Sequence, residues 1–103
     1  LVDPAVLEWG TEAYVELYCR GKTSPAEIGV AVSRHPEVVR ACTVTGEADA
    51  LLHIRARDVP HVERVIERIA AEPFVVRTKS SIVLARLVDA PAGAPRNESA
   101  ERA

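Results

Sequence analysis

The sequence has little of several features that identify common protein classes. Its 103 residues include two cysteines, three histidines and four aromatic side chains, one Trp, two Tyr and one Phe. The cysteines are too few for a disulfide framework, and no Cys or His pair has the spacing of a zinc site. No apolar run approaches the 18 residues of a transmembrane helix. We therefore expect no metal and no membrane association.

Charge of one sign is also lacking, because the formal net charge is only −2. That balance gives no electrostatic case for nucleic-acid binding by these residues. The N-terminus lacks a basic segment followed by an apolar one, so we expect a cytoplasmic protein. Both Cys19 and Cys42 lie in apolar, strand-like runs, and we expect them to be buried thiols in a reducing compartment.

Composition divides the chain into three parts. Residues 1–10 place isolated apolar residues around Pro4 and are interpreted as a connector. Residues 90–103 are rich in Ala, Pro, Gly and polar residues, and we expect a mobile tail. Residues 11–89 carry periodic apolar patterns and constitute one domain, whose core must be aliphatic because aromatic residues are only 4% of the chain.

Four stretches of this domain alternate apolar and polar residues, which is typical of strands, namely 11–20, 38–45, 48–57 and 75–88. Ser24, Pro25 and Glu27 form a helix start with a capping box, and this helix is expected to end near His35. Asp58 is expected to cap a second helix that ends before a proline. Its apolar stripe is Val62, Val65, Ile66 and Ile69.

The order β-α-β-β-α-β predicts an α+β, ferredoxin-like fold, in which both helices cover one face of a four-stranded antiparallel sheet. The second face is left without helices, although many of its residues are apolar. We expect a second copy of the chain to cover it, so that the protein dimerises through its sheet. The residues expected in this dimer interface are Tyr14, Tyr18, Leu51, His53, Val83 and Leu87.

Two polar features are candidates for binding chemistry. The turn at residues 45–49 contains Gly46, which allows close backbone approach, and Asp49, which can accept hydrogen bonds from a cation or from backbone N–H groups. Thr78 and Ser80 interrupt a strand that is otherwise apolar, and their hydroxyls can bind a small ligand or face water. The residues alone leave open whether the turn is a site or a plain hairpin.

The titratable residues suggest no catalytic arrangement. We expect structural roles for His35 at a helix end, for His53 in the sheet interface and for His61, placed in an exposed first helical turn. Glu63 and Glu67 lie one turn apart on a solvated helix face. A serine nucleophile would need a base and a shaped turn such as G-x-S-x-G, which the sequence lacks. We assign no catalytic residue and no enzyme activity.

Residues 2–89 resemble the C-terminal domain of Lrp/AsnC (feast/famine) transcriptional regulators, also called the RAM domain. The similarity lies in a strand that ends in Val-Thr-Gly at 44–46, in the G-x-x-D turn of Gly46 and Asp49, and in the pattern Thr-x-Ser-x-Ile-Val-Leu from Thr78. The opening Val-Asp-Pro also resembles the connector that follows the DNA-binding half in that family.

The resemblance implies an amino-acid-sensing domain whose dimers join into tetramers or octamers, with a free amino acid, and no other cofactor, bound between dimers. An ammonium group needs acceptors such as Asp49, and a carboxylate needs hydroxyl and backbone N–H donors. The family's helix-turn-helix half is absent from these residues, so DNA binding is expected only through a domain outside this chain. The residues implied for the effector site are Thr45, Gly46, Ala48, Asp49, Thr78 and Ser80.

Two alternative interpretations remain. The chain can be a stand-alone assembly module without an effector. It can also be a small enzyme, because some haem-pathway decarboxylases and small monooxygenases resemble this fold. Binding of a free amino acid distinguishes the sensor from the assembly module, and binding of a tetrapyrrole would favour the enzyme.

Overall fold

The computed structural model describes residues 9–89, so the tail expected at 90–103 and most of the connector expected at 1–10 lie outside the described residues. The described elements follow the order β-α-β-β-α-β. They are β1 Thr11–Cys19, α1 Pro25–Val32, β2 Val38–Thr43, β3 Ala50–Ala56, α2 Val59–Ala70 and β4 Val75–Ile82.

The four strands form one antiparallel sheet in the order β2-β3-β1-β4. Strand β1 is central, since Leu17 pairs with Ala50 of β3 on one side and with Thr78 of β4 on the other. The predicted α+β, ferredoxin-like fold is confirmed. Within residues 9–89, neither helix is long and apolar enough to cross a membrane.

Local side-chain chemistry fixes both helix starts. The Ser24 hydroxyl accepts a hydrogen bond from the Glu27 amide at 3.1 Å, and Pro25 occupies the first turn of α1. The Asp58 carboxylate accepts a hydrogen bond from the His61 amide at 2.9 Å and so caps α2. The first helix ends at Val32, three residues earlier than expected.

The core lies between the helices and one face of the sheet. Alternate residues of the two central strands face the helices, because successive side chains of a strand point to opposite faces. Burial of such aliphatic side chains contributes about 1.5–3 kcal/mol each. The completely buried members include Val15, Leu17, Leu52, Ile54, Val62, Val65 and Ile69.

The last strand was predicted too long. β4 ends at Ile82, and the final main-chain contact with β1 is the bond from the Val83 amide to the Glu12 carbonyl, at 2.9 Å. The following chain leaves the sheet, so Leu87 is 95% exposed and does not lie on a strand of this sheet. The sequence predicts a strand over 75–88 because apolar residues recur throughout that range. The strand ends earlier because the residues after Ile82 have no neighbouring strand to pair with.

The β2–β3 hairpin also differs from the prediction. β2 ends at Thr43 and β3 begins at Ala50, so the connection includes two residues on each side that were assigned to strands. Gly46, in the middle, has φ of 110°, a backbone conformation that favours glycine.

Candidate functional site

The β2–β3 turn is anchored to the central strand by Asp49. One oxygen of its carboxylate, Oδ2, accepts a hydrogen bond from the Cys19 amide at 2.7 Å. The Asp49 amide donates to the Leu17 carbonyl at 2.8 Å. Asp49 therefore fixes the turn against the end of β1, and it does so while remaining exposed.

The rest of the turn has one buried and three exposed positions. Ala48 is buried, whereas Thr45, Gly46 and Glu47 are exposed. A Cβ atom at Gly46 would meet no atom within 4 Å, so the positive φ, and not a lack of space, is the reason for glycine here. The main chain of the turn is therefore exposed, and the two hydrogen bonds of Asp49 hold the turn against β1.

The two predicted hydroxyl residues lie on the opposite side of β1. Thr78 pairs with Leu17 and Ser80 with Val15, so both occupy the helix-facing side of the edge strand β4. Thr78 is half-buried and Ser80 is exposed. Because strands are spaced about 4.8 Å apart, two spacings separate β4 from β3, on the order of 10 Å. One chain therefore brings the four turn residues together but does not bring them to Thr78 and Ser80.

The open sheet face, which the sequence predicts to be a dimer interface, also carries a second polar group. Glu12 is buried, and its carboxylate binds His53 at 2.7 Å and also Arg86. His53 is stacked on Tyr14, with ring centroids 4.8 Å apart and planes 11° from parallel. These side chains line a cleft of about 590 Å³, together with Arg40 and other residues.

The electrostatics of this cleft favour a neutral imidazole. Burial lowers the pKa of His53, and the positive charges of Arg40 and Arg55 lower it further. The Glu12 carboxylate also forms an ion pair with Arg86, so its negative charge is already balanced without a proton on His53. A neutral ring can stack flat on Tyr14 without adding a fourth cation beside Arg40, Arg55 and Arg86.

The register places four of the residues predicted for the dimer interface on the open face of the sheet. Tyr14 pairs with His53, and Leu51 pairs with Glu16 on the same face. Tyr18 lies further along that face, and the Arg77 guanidinium is 4.0 Å from the centre of its ring. Val83 lines the cleft although it lies just past β4. Leu87 lies further along the chain and is 95% exposed.

A third polar group lies inside the fold, and it corrects the expectation that His61 is exposed. His61 is only 6% exposed, and both of its ring nitrogens are hydrogen-bonded. Nδ1 accepts a hydrogen bond from the Arg57 amide at 3.0 Å, and Nε2 donates one to Glu37 at 2.9 Å. The same Glu37 oxygen accepts from Arg68 at 2.6 Å. Burial raises the pKa of Glu37, but the hydrogen bonds from Arg68 and His61 outweigh it and hold the pKa below its ordinary value.

The sequence did not predict that two carboxylates, those of Glu12 and Glu37, are buried. Alternation along β1 does place Glu12 on the face of His53, so an acidic residue between apolar ones was a usable signal. Glu37 gave no such signal, because its partners come from the first turn and the last turn of α2. Within residues 9–89, no three Cys, His, Asp or Glu side chains are grouped so that they could hold a metal ion.

The thiols were also predicted incorrectly. Cys42 is exposed, because β2 is an edge strand, and Cys19 is only partly buried at the end of β1. Burial raises the pKa of the Cys19 thiol, and the negative charge of Asp49 raises it further. The Cys19 thiol is therefore not activated as a nucleophile by its described surroundings.

Comparison with known families gives one family model, the Lrp/AsnC ligand binding domain, which matches residues 12–92. A curated relative is the HTH-type transcriptional regulator Rv2324 of Mycobacterium tuberculosis, 45% identical over 89 residues. The alignment includes 86% of this chain but only 60% of that regulator. The chain thus spans about three fifths of the curated relative that it matches.

Solved structures give the same fold. An AsnC family transcriptional regulator from Agrobacterium tumefaciens superimposes with a TM-score of 0.74 at 20% identity, over 92% of this chain and 63% of that one. The transcriptional regulator NMB0573 from Neisseria meningitidis, solved as a complex with L-Met, gives a TM-score of 0.71 at 26% identity. That match includes 96% of this chain and 65% of the regulator.

Proposed function

The chain belongs to the Lrp/AsnC family through its ligand-binding domain, and we propose that it is the amino-acid-sensing and oligomerisation domain of a transcriptional regulator. The observation that carries this proposal is the anchoring of the Gly46–Asp49 turn to β1 by two short hydrogen bonds. Recognition of a small zwitterion requires donors and acceptors at fixed positions, and this turn provides them on a rigid base.

The roles of the turn residues follow from their chemistry. Exposed main-chain N–H groups around Gly46 can donate to the carboxylate of an amino acid. The Asp49 carboxylate has one oxygen committed to Cys19, which leaves the other free to attract an ammonium group. Thr45 contributes a hydroxyl, and the buried Ala48 holds the turn against the core.

The site requires more than one copy of the chain. Thr78 and Ser80 are too far from the turn to complete a pocket within one molecule, so we place them on a neighbouring copy that faces the turn. Effector binding would then depend on assembly, and assembly on the effector, since linkage between the two is reciprocal. The concentration of the free amino acid would in this way control the assembly of the domain.

Dimerisation through the open sheet face supplies the first level of assembly. Tyr14 is 44% exposed on that face, and the segment after β4 exposes Leu84 and Leu87 almost completely. A second sheet would bury these side chains along with the cleft at Glu12. Free energy of about 1.5–3 kcal/mol for each large apolar side chain favours such a contact.

L-methionine is the first ligand to test, because the Neisseria regulator was solved as its complex with L-Met. DNA binding belongs to the whole regulator, and its curated relative is of the helix-turn-helix type. We place this function in the cytoplasm, where free amino acids and DNA occur together.

Isothermal titration calorimetry with each of the twenty amino acids tests the proposal. We expect saturable binding of at least one, accompanied by a change in molecular mass in light scattering. Absence of heat with all twenty would favour the assembly module without effector. A change in haem absorbance on mixing with a tetrapyrrole would favour the enzyme instead.

A further inference from the structure

The cleft on the open face of the sheet has an excess of positive charge. With His53 neutral, its charges sum to +1, whereas the whole chain has a formal net charge of −2. A local excess of positive charge in an acidic chain attracts anions. The charged residues that line the cleft are three arginines and two carboxylates, namely Arg40, Arg55, Arg86, Glu12 and Asp89.

Both carboxylates of the cleft are already paired. One oxygen of Glu12, Oε1, binds His53, and the other, Oε2, binds Arg86. The Asp89 carboxylate also binds Arg86, at 3.1 Å, and its side chain is 67% exposed. An ammonium group that entered the cleft would therefore find no uncommitted oxygen on Glu12.

The other two guanidinium groups of the cleft have no such partner. Within residues 9–89, neither Arg40 nor Arg55 forms an ion pair with a carboxylate. Nε of Arg55 donates a hydrogen bond to the Trp9 carbonyl at 3.0 Å, which leaves the two terminal nitrogens to bind a ligand. A guanidinium presents its N–H donors in a planar fork that matches a carboxylate. The cleft thus has donors for an anion and lacks the anion's counterpart within one chain.

The sheet register brings these two arginines close to His53. Arg40 of β2 is the direct partner of His53 on β3, and Arg55 follows His53 by two residues, on the same face. Diagonal neighbours of this kind are about 7–8 Å apart, which is within reach of two long side chains. The positive charges of both arginines lower the pKa of His53, as expected for guanidiniums near its ring.

The walls of the cleft are partly apolar. Val39 and Val88 are 42% and 72% exposed, and Val83 lies beside them in the lining. Tyr14, stacked on His53, is 44% exposed and adds an aromatic surface with a hydroxyl donor. A ligand that fits this cleft combines one anionic group with an apolar body, and inorganic phosphate meets only the first condition.

We propose that this cleft binds an aliphatic carboxylic acid, whose carboxylate is held by Arg40 and Arg55 and whose hydrocarbon chain lies against the valines and Tyr14. A free amino acid is disfavoured there, because its ammonium group would lie among cations.

The carboxylic-acid site is separate from the amino-acid site at the β2–β3 turn. Strands rise about 3.3 Å per residue, so Arg55 lies on the order of 20 Å along the chain from Asp49. All the binding groups come from one chain, so the site rests neither on the amino-acid site nor on the sheet dimer. A second sheet on this face would only enclose the bound acid.

Binding of the acid should change the protonation of His53. A carboxylate beside the ring offsets the repulsion that Arg40 and Arg55 exert on a protonated imidazole. The bound acid should therefore raise the pKa of His53, and proton uptake should accompany binding near that pKa. A ligand bound only at the distant turn would not have this effect.

The test uses 4-methylpentanoate, which is L-leucine without its amino group. NMR of the histidine ring protons over a pH series measures the pKa of His53, whose signals are assigned with His53→Gln. We expect 4-methylpentanoate to bind saturably in calorimetry and to raise this pKa, and L-leucine to leave the pKa unchanged. Acetate should bind roughly tenfold or more weakly than 4-methylpentanoate, because it lacks the apolar body.

Variants locate the site on the sheet. Arg40→Gln and Arg55→Gln should each weaken the binding of 4-methylpentanoate by roughly tenfold or more, since each removes charged donors. Arg77→Gln is the matched control, because Arg77 lies on the same face over the ring of Tyr18 and does not line the cleft. Asp49→Ala should also leave this affinity unchanged, whatever it does to amino-acid binding.

The proposal is overturned if the wild type does not bind 4-methylpentanoate, or if Arg40→Gln and Arg55→Gln bind it as tightly as the wild type while circular dichroism shows them folded. Loss of binding in Asp49→Ala would place the acid at the turn instead. An equal rise in the pKa of His53 with L-leucine, or equal binding of inorganic phosphate, would contradict the selection of a carboxylic acid. Failure of every amino acid to bind would leave the result for 4-methylpentanoate unchanged.

Discussion

Glu37 accepts a hydrogen bond from Nε2 of His61, at 2.9 Å, in the interior of the domain. Because Nδ1 of the same ring accepts the Arg57 amide, the imidazole is in its neutral tautomer with the proton on Nε2. The negative charge stays on Glu37 and is balanced by Arg68. One carboxylate thus ties the segment between α1 and β2 to both ends of α2.

Replacement of Glu37 by Ala should lower the free energy of unfolding by about 2–4 kcal/mol, since it removes hydrogen bonds to a buried charge. Chemical denaturation at pH 7 measures this loss. The control Glu63→Ala, at an exposed position of α2, should change the free energy of unfolding by less than about 0.5 kcal/mol. Equal effects of the two substitutions would contradict the role assigned to Glu37.

The stability of the wild type should fall as the pH is lowered toward 3. The pKa of Glu37 is lower in the folded chain than its ordinary value, so its contribution is complete above that ordinary value and is lost as the pH falls through the folded pKa. Thermal melting between pH 3 and 7 should show a smaller slope for Glu37→Gln. A slope identical to that of the wild type would show that other carboxyl groups are responsible.

His53 should titrate below the ordinary histidine range. Burial and the charges of Arg40 and Arg55 oppose its protonation, so folded-state stability is complete above the ordinary pKa and declines as the pH falls below it. NMR titration of the ring protons measures the pKa directly. Arg40→Gln, which removes one opposing charge, should raise the measured value, and a value that does not move would contradict this explanation.

Gly46→Ala should destabilise the chain by about 1 kcal/mol or more, because alanine is strained at φ of 110° although space for its methyl group is available. Gly21→Ala is the matched control, since that glycine also lies in a turn with open space but without the positive φ. Denaturant midpoints should therefore separate the two variants. Equal midpoints would mean that the turn relaxes at no cost.

Much of the fold could be predicted from local patterns. Alternation specifies β1 almost to the residue and β3 to within two residues, because one face of each strand is buried. The two caps fix the helix starts, because capping is local. The end of β4 could not be predicted in this way, since Leu84 and Leu87 continue the apolar pattern without a neighbouring strand. The position where a strand ends depends on its hydrogen bonds to a neighbouring strand, and these cannot be predicted from the pattern of one segment alone.

The candidate site was predictable only in part. The turn with Gly46 and Asp49 was identified from residue types, and both lie where a turn was expected. The bond from the Cys19 amide to Asp49 joins residues 30 apart in the sequence, and no periodicity reveals it. Thr78 and Ser80 face the helix side of β4, and their relation to the turn depends on contacts between copies.

The most direct test of the amino-acid site compares the effector affinity of Asp49→Ala, Asp49→Asn and the wild type by calorimetry, with Glu63→Ala as an acidic control on an exposed helix face. Asparagine can still accept the Cys19 amide, whereas alanine leaves both the turn and the ammonium group without an acceptor. We predict a roughly thirtyfold or greater loss for Asp49→Ala, equivalent to about 2 kcal/mol, and a smaller loss for Asp49→Asn. Wild-type affinity in Asp49→Ala, with the assembly intact, would contradict the account and place the effector elsewhere.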